Sequence, residues 1–171
     1  IEPFLAHGVP ELWAYYCTGQ AVNVTNRFFA MPTARTRIFG VQMFKYDIKG
    51  CLHWGYNFYN SHLSLYPIDP FFITDAGEVF PGGDPFLVYP APDGTPWGSL
   101  RLMAMEMAMS DVRALRLLSR LKGKAFVVSM IDEGLDAPVT FDHYPAAAPY
   151  LLDLRNRVNR AIEEAYGLSP A

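Results

Sequence analysis

The apolar positions in the amino-terminal part of the chain predict one strand-helix-strand unit. Residues 12–17 form a short apolar and aromatic run, which is typical of a buried strand in a parallel sheet. A helix is predicted over 31–50, with Gly50 as its stop, because apolar residues recur at helical spacing: Ala34, Ile38, Val41, Phe44 and Ile48. A second strand over 51–58 follows directly. Crossovers of this kind are almost always right-handed.

The middle of the chain predicts a long loop. Residues 61–97 are rich in proline and glycine, and only 86–89 have the pattern of a brief strand. Loops of this length are uncommon in compact domains and are usually functional. We therefore expect 61–97 to lie over a binding site. Residues 1–11, which contain Pro3, Gly8 and Pro10, are predicted to be a connecting loop.

The carboxyl-terminal part predicts helices. A long amphipathic helix is indicated from Ser99 to Gly123, a second over 124–133, and a last one over 147–166 with Gly167 as its stop. We expect residues 1–121 to form the strand-containing part of the domain. Residues 122–171 are predicted to be a helical tail packed on it.

Composition and charge narrow the class of partner. The chain has 171 residues, of which 51% are hydrophobic and 18% charged, as expected of a packed globular domain. A net charge of -3 without a basic run offers nucleic acid no binding surface, and no apolar run is long enough to span a membrane. We expect neither partner. The chain begins with Ile1 rather than Met, so we expect a piece of a longer protein.

Motifs for cofactors, metals and activated nucleophiles are missing from the sequence. It contains no P-loop, no GxGxxG and no GxSxG elbow, and its histidines lack metal-site spacing, so no cofactor and no metal are predicted. Cys17 closes the first predicted strand, whereas Cys51 opens the second. Parallel strands would keep these thiols too far apart for a disulfide, and both are predicted to be free.

Aromatic and amide side chains crowd the end of the second predicted strand. Trp54, Tyr56 and Asn57 suit a sugar site, because rings pack on pyranose faces and amides bond hydroxyls. Tyr16, at the end of the first strand, would open onto the carboxyl end of the sheet as well. Asp84 lies in a Gly-Gly-Asp-Pro turn of the long loop. The alternatives are that the rings fill a core and that Asp84 only forms its turn.

A resemblance to a known family favours the sugar site. The chain resembles the carboxyl-terminal part of the domain of unknown function 4091, which is grouped with the catalytic domain of glycoside hydrolase family 123. The resemblance rests on ordered strings along nearly the whole chain: Asn26-Arg27-Phe28-Phe29, Arg35-Thr36-Arg37, the run 44–50, His53-Trp54-Gly55-Tyr56-Asn57, Gly83-Asp84-Pro85-Phe86, Ser99-Leu100-Arg101-Leu102, 111–115 and Phe141-Asp142-His143-Tyr144-Pro145.

The resemblance implies a (β/α)8 barrel, of which this chain would supply about the last two to three βα units and a helical tail. It also implies hydrolysis of β-linked N-acetylgalactosamine, with the acetamido group of the substrate as nucleophile and an adjacent Asp-Glu pair as orienting group and acid. No position here matches that pair, and Asp132-Glu133 is not it. From a charged stretch that many members share, this chain keeps Arg101 and Asp111.

We therefore expect a glycoside hydrolase domain for N-acetylhexosamine-type glycans in which this chain supplies the sugar-binding wall and no catalytic residue. The substrate-binding residues would be Trp54 for stacking, Tyr16, Tyr56 and Asn57 for hydrogen bonding, and Asp84 from the loop. The isolated chain should be inactive. The alternative is a non-catalytic carbohydrate-binding or structural domain. An exposed sheet edge would in either case favour self-association.

Overall fold

The computed structural model of the protein describes residues 1–168, so the last positions of the predicted tail, 169–171, lie outside it. Its centre is a parallel pair of strands, β1 (Leu12–Tyr16) and β2 (Ile48–His53), in which Tyr16 pairs with His53. A helical crossover joins them. The α/β class and the predicted strand-helix-strand unit are confirmed.

The crossover differs from the single helix predicted over 31–50. It consists of two shorter helices, α2 (Thr33–Arg37) and α3 (Phe39–Lys45). Before β1 the chain forms a further helix, α1 (Glu2–Ala6), where a loop was predicted. The predicted stop at Gly50 is wrong. Asp47 adopts a left-handed conformation with φ of 55°, which aspartate tolerates, and this turn starts β2 before Gly50 is reached.

The second strand also ends earlier than predicted, at His53 rather than Phe58. Beyond His53 the backbone bonds to the long loop instead of to β1. The N–H of Leu87 donates to the carbonyl of Tyr56 over 2.8 Å, and the N–H of Phe58 donates to Pro85 over 3.1 Å. The aromatic residues after His53 therefore lie in a loop that is fastened to another loop.

The long loop has more regular structure than the sequence indicates. A short 3-10 turn covers His62–Ser64, and an antiparallel hairpin joins β3 (Val88–Pro90) to β4 (Pro96–Gly98). The brief strand predicted over 86–89 is thus observed slightly later in the chain, as β3 of the hairpin. Its partner β4, rich in proline and glycine, carried no strand pattern.

Three helices complete the chain: α4 (Leu100–Lys122), α5 (Lys124–Asp132) and α6 (Ala148–Ala165). The Ser99 Oγ caps α4 by accepting a hydrogen bond from the N–H of Leu102 over 3.2 Å. Gly167, with φ of 68°, follows the end of α6 as predicted. None of the helices within residues 1–168 combines the length and apolar character needed to cross a membrane.

The core has two parts, one among the helices and one under the sheet. The larger part joins α2 to α6 and includes Ile38, Leu118 and Val158. The smaller part packs the inner face of the sheet on α3 and α4. Where α3 packs on α4, Gly40 of α3 lies so close to α4 that an added Cβ would stand 2.2 Å from the carbonyl oxygen of Ala108.

The outer face of the sheet is uncovered by residues 1–168. Trp13, Tyr15 and Leu52 point to this side and are 61%, 50% and 57% exposed. The Trp13 ring lies directly over Gly50, and a Cβ at position 50 would stand only 2.5 Å from the indole. We call this surface, defined by Trp13, Tyr15 and Leu52, the outer sheet face.

Ion pairs fasten α5 and α6 to the rest of the domain. Asp111 on α4 accepts from Arg37 Nε over 2.7 Å and from Arg155 Nη1 over 2.8 Å. Asp132 at the end of α5 accepts from Lys45 Nζ over 2.6 Å. Glu133 is exposed, whereas Asp132 is partly buried because Lys45 and the N–H of Val139 bind it.

Candidate functional site

Buried polar side chains meet where β2 ends. His53 is the last residue of β2, Arg27 comes from the segment before α2, Asp84 from the long loop and Arg101 from the first turn of α4. Arg27, Asp84 and Arg101 are 3%, 0% and 9% exposed. Because buried charges are costly without partners, the contacts among these groups decide what the site can do.

Asp84 is the acceptor at the centre of this cluster. Its Oδ2 accepts a hydrogen bond from Trp54 Nε1 over 2.8 Å. Its Oδ1 lies 3.0 Å from His53 Nε2, but the two atoms are not aligned for a regular hydrogen bond, so this contact is electrostatic. The carboxylate is therefore a fixed group behind Trp54.

Arg27 and Gly55 determine the tautomer of His53. The guanidinium Nη2 of Arg27 lies 2.6 Å from His53 Nδ1, and the N–H of Gly55 donates to the same atom over 3.2 Å. Two donors require an unprotonated Nδ1, so the ring proton is on Nε2, facing Asp84. Burial lowers the pKa of His53 below its usual value of 6.5 and outweighs the opposing effect of Asp84, which favours the neutral ring.

Arg27 is itself strongly buried. Burial lowers its pKa to about 10, so the guanidinium remains charged at neutral pH. Its Nη2 also donates to the carbonyl of Asp84 over 3.2 Å, whereas its Nε has no hydrogen-bond partner among residues 1–168. Arg27 thus contacts both His53 and the backbone that carries the buried carboxylate.

Arg101 ties two chain segments to α4, the segment of Arg27 and the long loop, by bonding to three carbonyl groups. It donates to Arg27 over 3.1 Å, to Phe86 over 2.8 Å and to Gly83. The guanidinium carbon lies 4.5 Å from the centre of the Phe29 ring, which is a favourable cation–π distance. Burial lowers the pKa of Arg101. Gly83 is needed here, because its φ is 85° and a Cβ would stand 2.7 Å from the guanidinium.

A small cavity adjoins the cluster. Its volume is about 30 Å³, and its lining includes Tyr16, Arg27, Cys51 and His53. Ligand sites for small molecules are an order of magnitude larger, whereas this space suits a water molecule. The cavity therefore belongs to the interior of the site and is too small for a sugar ring.

The predicted hydrogen-bonding residue Tyr16 lies on the wall of this cavity. It is 9% exposed, and its hydroxyl accepts a hydrogen bond from Thr25 Oγ1 over 3.0 Å. Its ring packs edge-on against Phe39 with centroids 5.0 Å apart. Burial raises the pKa of Tyr16. The structure thus places Tyr16 beneath the surface, and its role towards a sugar stays a prediction.

The other predicted residues divide between a fixed ring and an open surface. Trp54 is partly buried, and its indole packs edge-on against Phe58 and Phe80, with centroids 5.2 Å and 5.0 Å away. Tyr56 is 50% exposed and Asn57 is exposed. The structure brings Trp54 and Asp84 into direct contact. Tyr56 and Asn57 stand at the adjoining surface, and their binding roles stay predictions.

Candidate metal ligands and the two thiols stand apart from one another in the described part of the chain. Among the described residues no group of three or more histidine, cysteine, aspartate or glutamate side chains is arranged to hold a metal ion. The thiols of Cys17 and Cys51 are free, and Cys51 pairs with Ala14 rather than standing opposite Cys17. Burial raises the pKa of the Cys51 thiol, which opposes a role as nucleophile.

The amino-acid sequence matches a known protein family over most of its length. The family described as glycoside hydrolase 123, catalytic domain, matches residues 3–118. The chain belongs to this family. The match covers both sheets and most of α4 and ends before α5 and α6. It confirms the resemblance to glycoside hydrolase family 123. Comparison with curated proteins gives no significant match.

Sequence reasoning missed most of the buried cluster of this family 123 domain. Arg27 and His53 fell within strings shared with the family, but the sequence analysis assigned neither of them a binding role. Arg101 was noted as a retained family position. One available signal was the position of Arg27 directly before the apolar pair Phe28-Phe29. An arginine that is buried next to such a pair is rarely without a polar partner, so a partner should have been sought.

Proposed function

We propose that the chain is the sugar-binding wall of a glycoside hydrolase that acts on N-acetylhexosamine-type glycans, without the catalytic Asp-Glu pair. The observation that carries this proposal is the match of residues 3–118 to a catalytic domain of glycoside hydrolases. The geometry adds a partly exposed indole held by a buried carboxylate, next to exposed tyrosine and amide groups. Such a set suits a pyranose face and its hydroxyls.

The architecture of the proposed enzyme is a (β/α)8 barrel. Supporting this are the parallel pairing of β1 with β2 and the helical crossover between them, which is the repeating unit of that fold. The site residues follow the carboxyl end of β2, where barrel enzymes carry their active sites. In such a barrel the helices pack on one face of the sheet and the other face lines the barrel interior. The outer sheet face, which no helix within residues 1–168 covers, would then face the barrel interior.

Three acidic groups, those of Asp84, Asp132 and Glu133, are engaged in contacts within the chain. Asp84 is fully buried and bonded to Trp54, so it has no path to a glycosidic oxygen. Asp132 is held by Lys45, and Glu133 pairs with Arg157 over 2.7 Å. A general acid must reach the leaving group within hydrogen-bond distance. The proposal therefore assigns the catalytic pair to another part of the enzyme.

Two measurements on the purified chain test this proposal. We expect binding of N-acetylgalactosamine in calorimetry or NMR titration. Trp54→Ala should weaken it, whereas Trp97→Ala, a control at an exposed indole on β4, should leave it unchanged. We expect no release of aryl alcohol from an aryl N-acetyl-β-galactosaminide. Turnover that persists after rigorous purification would contradict the assignment of the catalytic pair elsewhere.

The second candidate is a non-catalytic carbohydrate-binding or structural domain. It is favoured by the full burial of Asp84, which leaves the cluster of Arg27, His53, Asp84 and Arg101 without an exposed carboxylate. Binding of N-acetylgalactosamine together with inactivity of any longer protein that contains this chain would favour the binder. Absence of sugar binding would favour the structural role.

A further inference from the structure

The indole of Trp54 is tied into the interior through its N–H. Trp54 follows β2 directly, and its Nε1 donates to Asp84, which lies 30 residues further along the chain. A tryptophan at a surface usually leaves this donor to water. Here the partner is a carboxylate that is 0% exposed, so the ring plane is set by a group that solvent does not reach.

Asp84 in turn depends on two groups behind it. Burying a carboxylate is costly unless positive charge or donors compensate it. The N–H side of His53 faces Oδ1 at 3.0 Å, and Arg27 contacts both His53 Nδ1 and the Asp84 carbonyl. The contacts therefore run from Arg27 through His53 to Asp84 and end at the indole.

The close approach of two backbones keeps this chain of contacts in register. Gly55 is buried, and a Cβ there would stand 2.5 Å from the carbonyl oxygen of Asp84. The N–H of Gly55 also donates to His53 Nδ1. The segment that carries Trp54 and the loop that carries Asp84 are thus held together next to the hydrogen bond that orients the ring.

We propose that Arg27, His53 and Asp84 are positioning residues that fix the Trp54 indole in the plane on which the sugar packs. This inference rests on the proposed function, in which Trp54 is the stacking platform. A ring that is already held in one rotamer loses less conformational entropy when a ligand binds, and it presents the same face to every ligand. Asp84 then contributes to sugar affinity without touching the sugar.

The experiment follows the Trp54 indole N–H by NMR and the affinity for N-acetylgalactosamine by titration, both on the complete chain. Trp54→Phe assigns the signal, and the signals of Trp13 and Trp97 serve as internal references. In Asp84→Ala we expect the Trp54 signal to move upfield and its proton to exchange faster with water. We expect the affinity to fall about tenfold, as for the loss of a charge-assisted hydrogen bond.

Two further variants complete the design. Asp84→Asn keeps an acceptor oxygen, so we expect it to restore most of the affinity and an intermediate signal position. Asp136→Asn, at an exposed carboxylate, should change neither readout. If Asp84→Ala does not fold, as judged by circular dichroism, Asp84→Asn decides. A folded variant with an unchanged Trp54 signal overturns the positioning role.

The outcomes separate this inference from the function on which it rests. If the signal shifts but the affinity is unchanged, the ring position is irrelevant to the sugar and the inference is overturned. If the unchanged protein binds no N-acetylgalactosamine, the proposed function fails together with the sugar-binding part of the inference. The signal shift then still reports whether Asp84 holds the indole.

Discussion

His53 owes its neutral state to its surroundings. The ring is faced by the carboxylate of Asp84 and the guanidinium groups of Arg27 and Arg101, and Cys51 lines the same cavity. Protonation would place a proton on Nδ1, directly against the donor of Arg27 at 2.6 Å. The neutral ring is therefore part of the folded arrangement, and acid should disturb it.

This gives a pH dependence with a defined sign. The pKa of His53 is lower in the folded protein than its usual 6.5, so the unfolded chain binds the proton more readily. The stability that His53 contributes is present above pH 6.5 and is lost as the pH falls through its folded pKa. We expect the free energy of unfolding, measured with urea, to decrease between pH 7.5 and about 5.5.

A matched variant isolates this contribution. His53→Gln keeps an acceptor for Arg27 and a donor for Asp84 but does not titrate. We expect its free energy of unfolding to vary less over the same pH interval than that of the unchanged protein. Equal slopes for both proteins would show that His53 does not carry the effect.

The site also shows which residue contacts the sequence can predict. Trp54 and Asp84 were both chosen as binding residues from their chemistry, but the bond between them spans the long loop and has no local signature. The depth of Tyr16 was equally hidden, because strand alternation gives its side of the sheet and not what covers that side. Residue type is read locally, whereas partners follow from the tertiary fold.

At the scale of elements, the contact between α3 and α4 depends on Gly40. We expect Gly40→Ala to lower the free energy of unfolding by about 2 kcal/mol, because the new methyl group would collide with the Ala108 carbonyl of α4 and force the helices apart. The measurement is urea unfolding followed by circular dichroism.

Gly19→Ala is the control for this substitution, since a Cβ there meets nothing within 4 Å. Its effect should stay within about 0.5 kcal/mol. An equally small effect of Gly40→Ala would mean that α3 and α4 adjust without cost, and the close packing would then not limit stability.

Asp111 connects elements that are distant in sequence. It lies on α4 and accepts from Arg37 on α2 and Arg155 on α6. Asp111→Ala would leave both guanidinium groups without this partner, and we expect a loss of about 3 kcal/mol in the free energy of unfolding. Asp153→Ala, which removes an exposed ion pair with Arg157, should cost less than about 1 kcal/mol. Similar losses for the two variants would contradict a special role of Asp111.

Element prediction succeeded where periodicity was uninterrupted. The long α4 and the amphipathic α6 were predicted nearly to their ends, because a single buried stripe and a capping residue define each of them. The predicted helix over 31–50 failed at its end, where Ile48 continues the helical spacing but is the first residue of β2. A buried position fits either structure, and here the turn at Asp47 decides.

At the scale of the whole molecule, the family match ends inside α4 while the packing continues. Residues 3–118 belong to the catalytic domain family, yet α6 reaches back to Asp111 and α5 to Lys45. The larger core contains side chains from both parts. The tail helices therefore share a core with the matched region, which the boundaries of the match alone do not indicate.

The uncovered sheet leads to a prediction about association. Within residues 1–168 no further strand pairs with β1 or β2, and the outer sheet face exposes three large apolar side chains. Such edges and faces favour pairing with another copy. We expect the purified chain to show concentration-dependent association in analytical ultracentrifugation.

Leu52→Lys should weaken this association, because it places a charge within the outer sheet face. Val22→Lys is the control, since Val22 is 75% exposed and lies in the loop between β1 and α2, outside the outer sheet face. A chain that sediments as a monomer at every concentration would contradict the prediction.

The contacts of Arg101 have a consequence for sequence variation. Within residues 1–168 its three hydrogen-bond acceptors are main-chain carbonyl oxygens, at positions 27, 83 and 86. Every amino acid supplies such an oxygen, so these bonds place no demand of their own on the side chains of their acceptors. Arg101 itself has no such freedom, because lysine offers a single nitrogen in place of a planar fork that reaches separated acceptors. These three bonds therefore restrict the donor and not its acceptors, and the need for glycine at position 83 has a separate origin in its φ of 85° and the close guanidinium.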